Sequence, residues 1–268
     1  LSDDRVGYFV NLQYKYSVET DSAETRYIRF INRWRLEKVD PDAEISDPVE
    51  PIVFWIENTV PYEYRDAIRA GILFWNSAFE AAGFSNAIHV RQMPDDAEWD
   101  PADIRYNTIR WFVAPSQVYA IGPSRTDPRT GEIYDADIGV NADMMRGPFG
   151  ELTNTIEPLV DAYAPCLPPG WPDLDTRQIR QTPENSGIFG TNLPIDLLSM
   201  GYDPFTQART YEMGRSLDIM HMTNRMEPGS EEEAEFIYDY LVSLIAHEVG
   251  HVLGLRHNFA GSAATPYW

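Results

Sequence analysis

Cysteine is almost missing from this chain: Cys166 is the only one in 268 residues. No disulfide can form within it, so stability has to come from a packed core, for which the length is sufficient. Basic residues are scarce as well. The 21 Lys and Arg stand against 42 Asp and Glu, a formal charge of −21. A surface of that sign argues against nucleic acid and anionic membrane faces as partners. No apolar run approaches the roughly 20 residues of a membrane-spanning helix. The opening, Leu1-Ser2-Asp3-Asp4-Arg5, has neither an initiator methionine nor a signal-peptide pattern, and reads as a processed piece of a longer chain. Histidine is rare too, with five in all. That scarcity gives weight to where the histidines fall.

Three of them lie in one eleven-residue string, His247-Glu248-Val249-Gly250-His251-Val252-Leu253-Gly254-Leu255-Arg256-His257. Residues four apart on a helix are separated by about 40° and about 6 Å, so His247 and His251 can reach one metal ion. Glu248 adjoins the first of them, where its carboxylate can lean over a water held by that ion. His257 would lie about 240° around a continued helix, facing away. It can join only if the helix stops, and Gly254 suits the left-handed turn that stops one. Ligand, base, ligand, stop and ligand make one device.

Elsewhere the pattern is that of a mixed α+β protein. Residues 6–16 alternate, with Tyr8, Val10, Leu12, Tyr14 and Tyr16 on one face, and a second strand is expected over 27–36. This hairpin and the Pro- and Asp-rich linker after it read as an N-terminal extension, 1–48, ahead of a domain over 49–268. Pro51-Ile52-Val53-Phe54-Trp55-Ile56 reads as a buried strand. Pro61 then opens a helix whose Tyr64, Ile68, Ile72, Trp75 and Phe79 form one core-facing stripe, ended by Gly83. Strands follow over 87–93, with His89 on the outer face, and over 108–113. Another is expected near 118–122, and one over 133–140 with Tyr134, Ala136, Ile138 and Val140 facing one way. Asp135 and Asp137 face the other. They have a calcium-like spacing but no fuller ligand set, so they read as a solvated face rather than a calcium site. Residues 146–229 are Pro- and Gly-rich and weakly periodic, which suggests a loop-rich insertion. Cys166 sits there in a proline-rich loop and reads as a packed small residue, and His221 has no companion at ligand spacing. Ser230 and Glu233 then form a capping box at the start of the helix that carries the motif.

With this order of elements, His247-Glu248-x-x-His251-x-x-Gly254-x-x-His257 resembles the signature of the metzincin zinc peptidases. Its continuation through Asn258-Phe259 is similar to that of large bacterial zinc-dependent peptidases with poorly characterised flanking domains. The resemblance covers about residues 50–260, apart from the insertion. It implies a zincin-like N-terminal subdomain, a mixed twisted sheet with two long helices, the second carrying the zinc motif. It makes His247, His251 and His257 the ligands of one Zn2+ and Glu248 the general base of peptide-bond hydrolysis. It also implies an edge strand that pairs with an extended substrate, here Val118, Tyr119, Ala120, Ile121 and Gly122. The expected product is a zinc endopeptidase, periplasmic or secreted, acting on a peptide or protein.

The pattern departs from that family in one respect. Metzincins carry a methionine turn after the third histidine, and the eleven residues following His257 contain no Met. The expectation is therefore a domain truncated before that turn, completed by the rest of the same polypeptide. A zinc-stabilised scaffold without turnover is the alternative, although ligation alone does not require Glu248. A site completed by a glutamate from a later helix is disfavoured, because nothing after His257 is acidic.

Overall fold

The computed structural model describes residues 7–14, 16, 27–113, 120–146, 210, 213–214, 216–217, 219–221 and 223–257. The expected insertion, apart from its last part, and Cys166 lie outside them. So do Val118 and Tyr119 and every residue after His257. In chain order, β1 (Val10–Tyr14) and β2 (Tyr27–Ile31) pair antiparallel as the N-terminal hairpin. The aromatic face of β1 is the exposed one: Leu12, Tyr14 and Tyr16 face solvent. The amides turn inward instead. Asn11 Nδ2 donates to Thr126 Oγ1 at 2.7 Å and Gln13 Nε2 to the Pro128 carbonyl at 2.7 Å.

The apolar run from Ile52 forms β3 (Ile52–Ile56), with Ile52, Phe54 and Ile56 buried in alternation. Helices α1 (Tyr62–Leu73) and α2 (Asn76–Ala81) follow, then β4 (Ile88–Gln92) and β5 (Asn107–Phe112). The single helix expected from Pro61 to Gly83 is thus interrupted at Phe74 and Trp75. There Trp75 Nε1 donates to the Ala246 carbonyl at 2.7 Å, and Asn76 exchanges two hydrogen bonds with the backbone of Ile88. These tertiary bonds hold the break to Ala246 and the second piece to β4, whatever the periodicity favours. Gly83 does end the helical region, at φ +91.

Next come β6 (Ala120–Ile121), β7 (Ser124–Thr126), β8 (Ile133–Ala136), β9 (Ile138–Asn141), the short α3 (Asp143–Arg146) and the long α4 (Glu231–Val252). Among the described residues the main sheet has the order β4-β3-β5-β9-β6. β3 runs parallel to β4 and β5, and β6 pairs antiparallel with β9 at the edge. The fold is a mixed α+β one. α1 approaches α4 so closely that a β-carbon on Gly71 would stand 2.7 Å from that of Ile245. Only hydrogen at that position allows the approach.

The strand expected over 133–140 is in fact two strands in different sheets, and its acidic face is not solvated. Asp137 is the corner between them. Its Oδ1 accepts from Thr108 N–H at 3.0 Å and Thr108 Oγ1 at 2.8 Å, and its own N–H donates to the Pro123 carbonyl. Asp135 is 2 % exposed, with one oxygen paired to Arg125 at 2.9 Å and Oδ1 without a partner among the described residues. Burial first, and then the neighbouring Asp137 charge, push its carboxyl up to about 6. Tyr134, expected on the core face, is exposed.

Backbone contacts group Leu1–Phe112, Ala120–Val140 and Tyr238–Trp268 into one compact unit, and Val113–Tyr119 with Asn141–Ile237 into another. The N-terminal hairpin, the sheet and the metal-motif end of α4 therefore all belong to the first unit. In the second, buried Met144, Met213 and Leu217 supply apolar core.

Candidate metal centre

The site begins with a helix that starts and stops cleanly. At its beginning Glu233 N–H donates to Ser230 Oγ at 3.2 Å, and the Glu233 carboxylate accepts the Gly229 N–H. The first is the bond that the capping spacing predicts, satisfying an amide the helix leaves unpaired; the second falls one residue earlier than a capping box, on the amide before the cap. Along α4, Leu241, Leu244, Ile245, Glu248, Val249, His251 and Val252 are buried at helical steps. Ile245 of that face meets α1 at Gly71, and Val252 meets the backbone at Gly122.

The helix ends at the expected glycine. Gly254 has φ +99, a region where side-chain-bearing residues are strained. Its N–H donates to the His251 carbonyl at 2.9 Å, and Leu255 N–H reaches back to Gly250 at 3.0 Å. This is the two-bond pattern of a Schellman cap. It reverses the chain within one turn and returns His257 to the face of the two helical histidines.

The result is a convergence of three rings. One nitrogen from each of His247, His251 and His257 lies within 4.8 Å of the others. The Nε2 atoms of His247 and His257 are 3.1 Å apart. Two Zn–N bonds of about 2.0–2.1 Å at a tetrahedral angle would put their nitrogens about 3.3 Å apart, so little movement is needed to bind one ion. The His251 ring is held in one orientation. Its Nδ1 lies 2.9 Å from the Leu255 carbonyl, which can only accept, so the proton sits on Nδ1 and the Nε2 lone pair is left for metal. Three imidazoles and no carboxylate form the donor set of an open zinc site, with a fourth position left over. The residues present fit zinc.

Glu248 is fully buried beside the first ligand. A β-carbon on Gly122 would lie 3.7 Å from its Oε2, 3.3 Å from its carbonyl oxygen and 3.0 Å from Val252 Cγ1. The backbone leaving edge strand β6 therefore runs directly against α4 at the Glu248 turn. Of the five residues expected to pair with substrate, Ala120 and Ile121 are in that strand, and Gly122 follows it into contact with the helix. His89 and the Asp135–Asp137 pair take no part in the described cluster, and nothing here bears on calcium.

The N-terminal hairpin also reaches this site. Trp34 Nε1 donates to the Val252 carbonyl at 3.0 Å, Phe9 N–H to Gly254 at 2.8 Å, and Arg256 N–H to the Gly7 carbonyl at 2.6 Å. The Phe9 ring meets His251 edge-on, with centroids 5.9 Å apart. No spacing marks these residues, because their partners lie more than 200 positions away.

Comparison with known proteins agrees at the C-terminal end. A family model described as Met-zincin matches residues 229–267. A second, described as Domain of unknown function (DUF5117), matches residues 1–39. No curated protein and no solved structure matches the chain. Together with the histidine cluster, the first match supports a metzincin-like zincin, a zinc-binding module at the end of α4. Among the described residues, no helix is long and apolar enough to cross a membrane.

Proposed function

We propose that this chain carries the catalytic centre of a zinc-dependent endopeptidase. The observation behind this reading is the pairing of three convergent imidazoles with a buried carboxylate that ligation does not require. When bound, zinc polarises a carbonyl and lowers the pKa of water from 15.7 to about 7. His247, His251 and His257 hold it, and the Leu255 carbonyl keeps the His251 ring in the right tautomer. Glu248 accepts the proton of the attacking water and passes it to the leaving amine, so its two jobs are sequential. An extended peptide would add to the sheet antiparallel to β6, through main-chain hydrogen bonds that tolerate many side chains. Gly122 contributes by having no side chain, which keeps the strand close to Glu248.

The test is a casein or peptide-library digest by the chain as given and within any longer polypeptide that contains it, with and without a chelator. Glu248→Gln should keep its zinc and lose about 100-fold or more of turnover. Undiminished cleavage by that variant would refute the role of Glu248. Bound zinc with no cleavage in any context would leave a zinc-stabilised scaffold instead.

A further inference from the structure

We infer that the N-terminal hairpin is the positioning element for the third metal ligand, clamping the turn between His251 and His257 and so setting the metal affinity of the centre. This rests on the reading of the three histidines as a metal site. Beyond Val252 the chain has left the helix, and its backbone groups need partners from elsewhere. The hairpin provides them. Tyr8 stands opposite Leu255 as an antiparallel bridge, flanked by the Phe9-to-Gly254 and Arg256-to-Gly7 hydrogen bonds. The same segment is tied back to the end of β2, where Asn32 N–H donates to the Phe9 carbonyl at 2.8 Å. The turn is thus the third member of a small antiparallel array.

The end of α4 is closed in the same way. Leu253, Leu255 and Gly254 N–H groups take the carbonyls of Val249, Gly250 and His251, and Trp34 takes that of Val252. All four terminal carbonyls have partners, and the last partner comes from the hairpin. The Asn32 carbonyl oxygen lies 2.2 Å from where a β-carbon on Gly254 would stand, so the hairpin backbone occupies the glycine's vacant side. His257 follows the last pinned residue, Arg256, by one position. Released from the clamp, residues 255–257 would sample many conformers, most of them offering two ligands rather than three. The cost of ordering them would then fall on metal binding and weaken it.

The experiment measures zinc affinity of the whole chain by competition with a chromophoric chelator, alongside the visible spectrum of the Co2+-substituted protein. Trp34→Phe removes one N–H and keeps the ring plane. Phe9→Pro removes the N–H that pins the Gly254 carbonyl. Asn11→Ala is the comparator, because it breaks a hairpin contact with Thr126 and leaves the turn untouched. Each clamp variant should bind zinc about tenfold more weakly and change the intensity of the Co2+ band, while Asn11→Ala matches the parent. Melting of the metal-free proteins separates this from general loosening, since the affinity loss should not track the melting shift. One zinc per chain with the same affinity in all four proteins would overturn the clamp and leave the metal site standing. No zinc bound by the parent would overturn both.

Discussion

Replacing Gly254 with alanine tests the geometry of the centre most directly. The residue has φ +99, and a β-carbon there would stand 2.2 Å from the Asn32 carbonyl oxygen and 3.1 Å from its carbon. Two costs follow. The left-handed backbone with a side chain costs about 1–2 kcal/mol. Relieving the clash requires two backbone segments to separate by about 1 Å, which sacrifices the Phe9–Gly254 and Arg256–Gly7 hydrogen bonds at about 1 kcal/mol each. The expected loss is therefore about 3–4 kcal/mol, a large share of the 5–15 kcal/mol typical of a domain. Gly229 separates the two costs. It also has positive φ, +76, but a β-carbon there meets nothing within 4 Å. Gly229→Ala should lose only the conformational part. Urea denaturation of both variants, metal-free, gives the difference, and zinc stoichiometry should fall only in Gly254→Ala. Equal losses in the two variants would show that the contact with Asn32 carries no energy, and the account of the turn would fail.

Trp75→Phe removes both the hydrogen bond to Ala246 and the outer indole edge that lies against Gly250, so denaturation should show a loss of about 1 kcal/mol for the bond and more for the space left. Asp135 gives a pH signature. Its carboxyl is raised from 3.8 to about 6, so the folded state holds a proton that the unfolded state releases. Its contribution is fully present below about 4 and is lost as pH rises through 6, by about 3 kcal/mol. Asp135→Asn should flatten that part of the stability profile, and a gain that does not grow between pH 4 and pH 7 would contradict the assignment. Chelation should lower the melting temperature. With free zinc at 100 times its dissociation constant the stabilisation is about 2.7 kcal/mol, and a Tm indifferent to zinc would speak against binding to the folded state.

The metal centre was legible because its ingredients are local. Four-residue spacing puts His247 and His251 on one side of any helix, and Gly254, three residues before His257, needs only its own φ to stop that helix. Strands with buried alternation, such as Ile52–Ile56 and Ile88–Gln92, were legible for the same reason. Asp135 and Asp137 are not the solvated face that their alternation suggests, because alternation says which residues share a face and not which face is covered. The long helix from Pro61 broke at Trp75 because an indole found a carbonyl on α4. Local sequence was enough for the converging histidines, the carboxylate of Glu248 beside them and the stop at Gly254, since each depends on neighbours within a few turns. The backbone partners of the turn before His257 come from the fold instead. The partners of that turn, Phe9, Asn32 and Trp34, lie more than 200 residues upstream. Backbone pairing over such a distance leaves no periodicity in either strand to announce it.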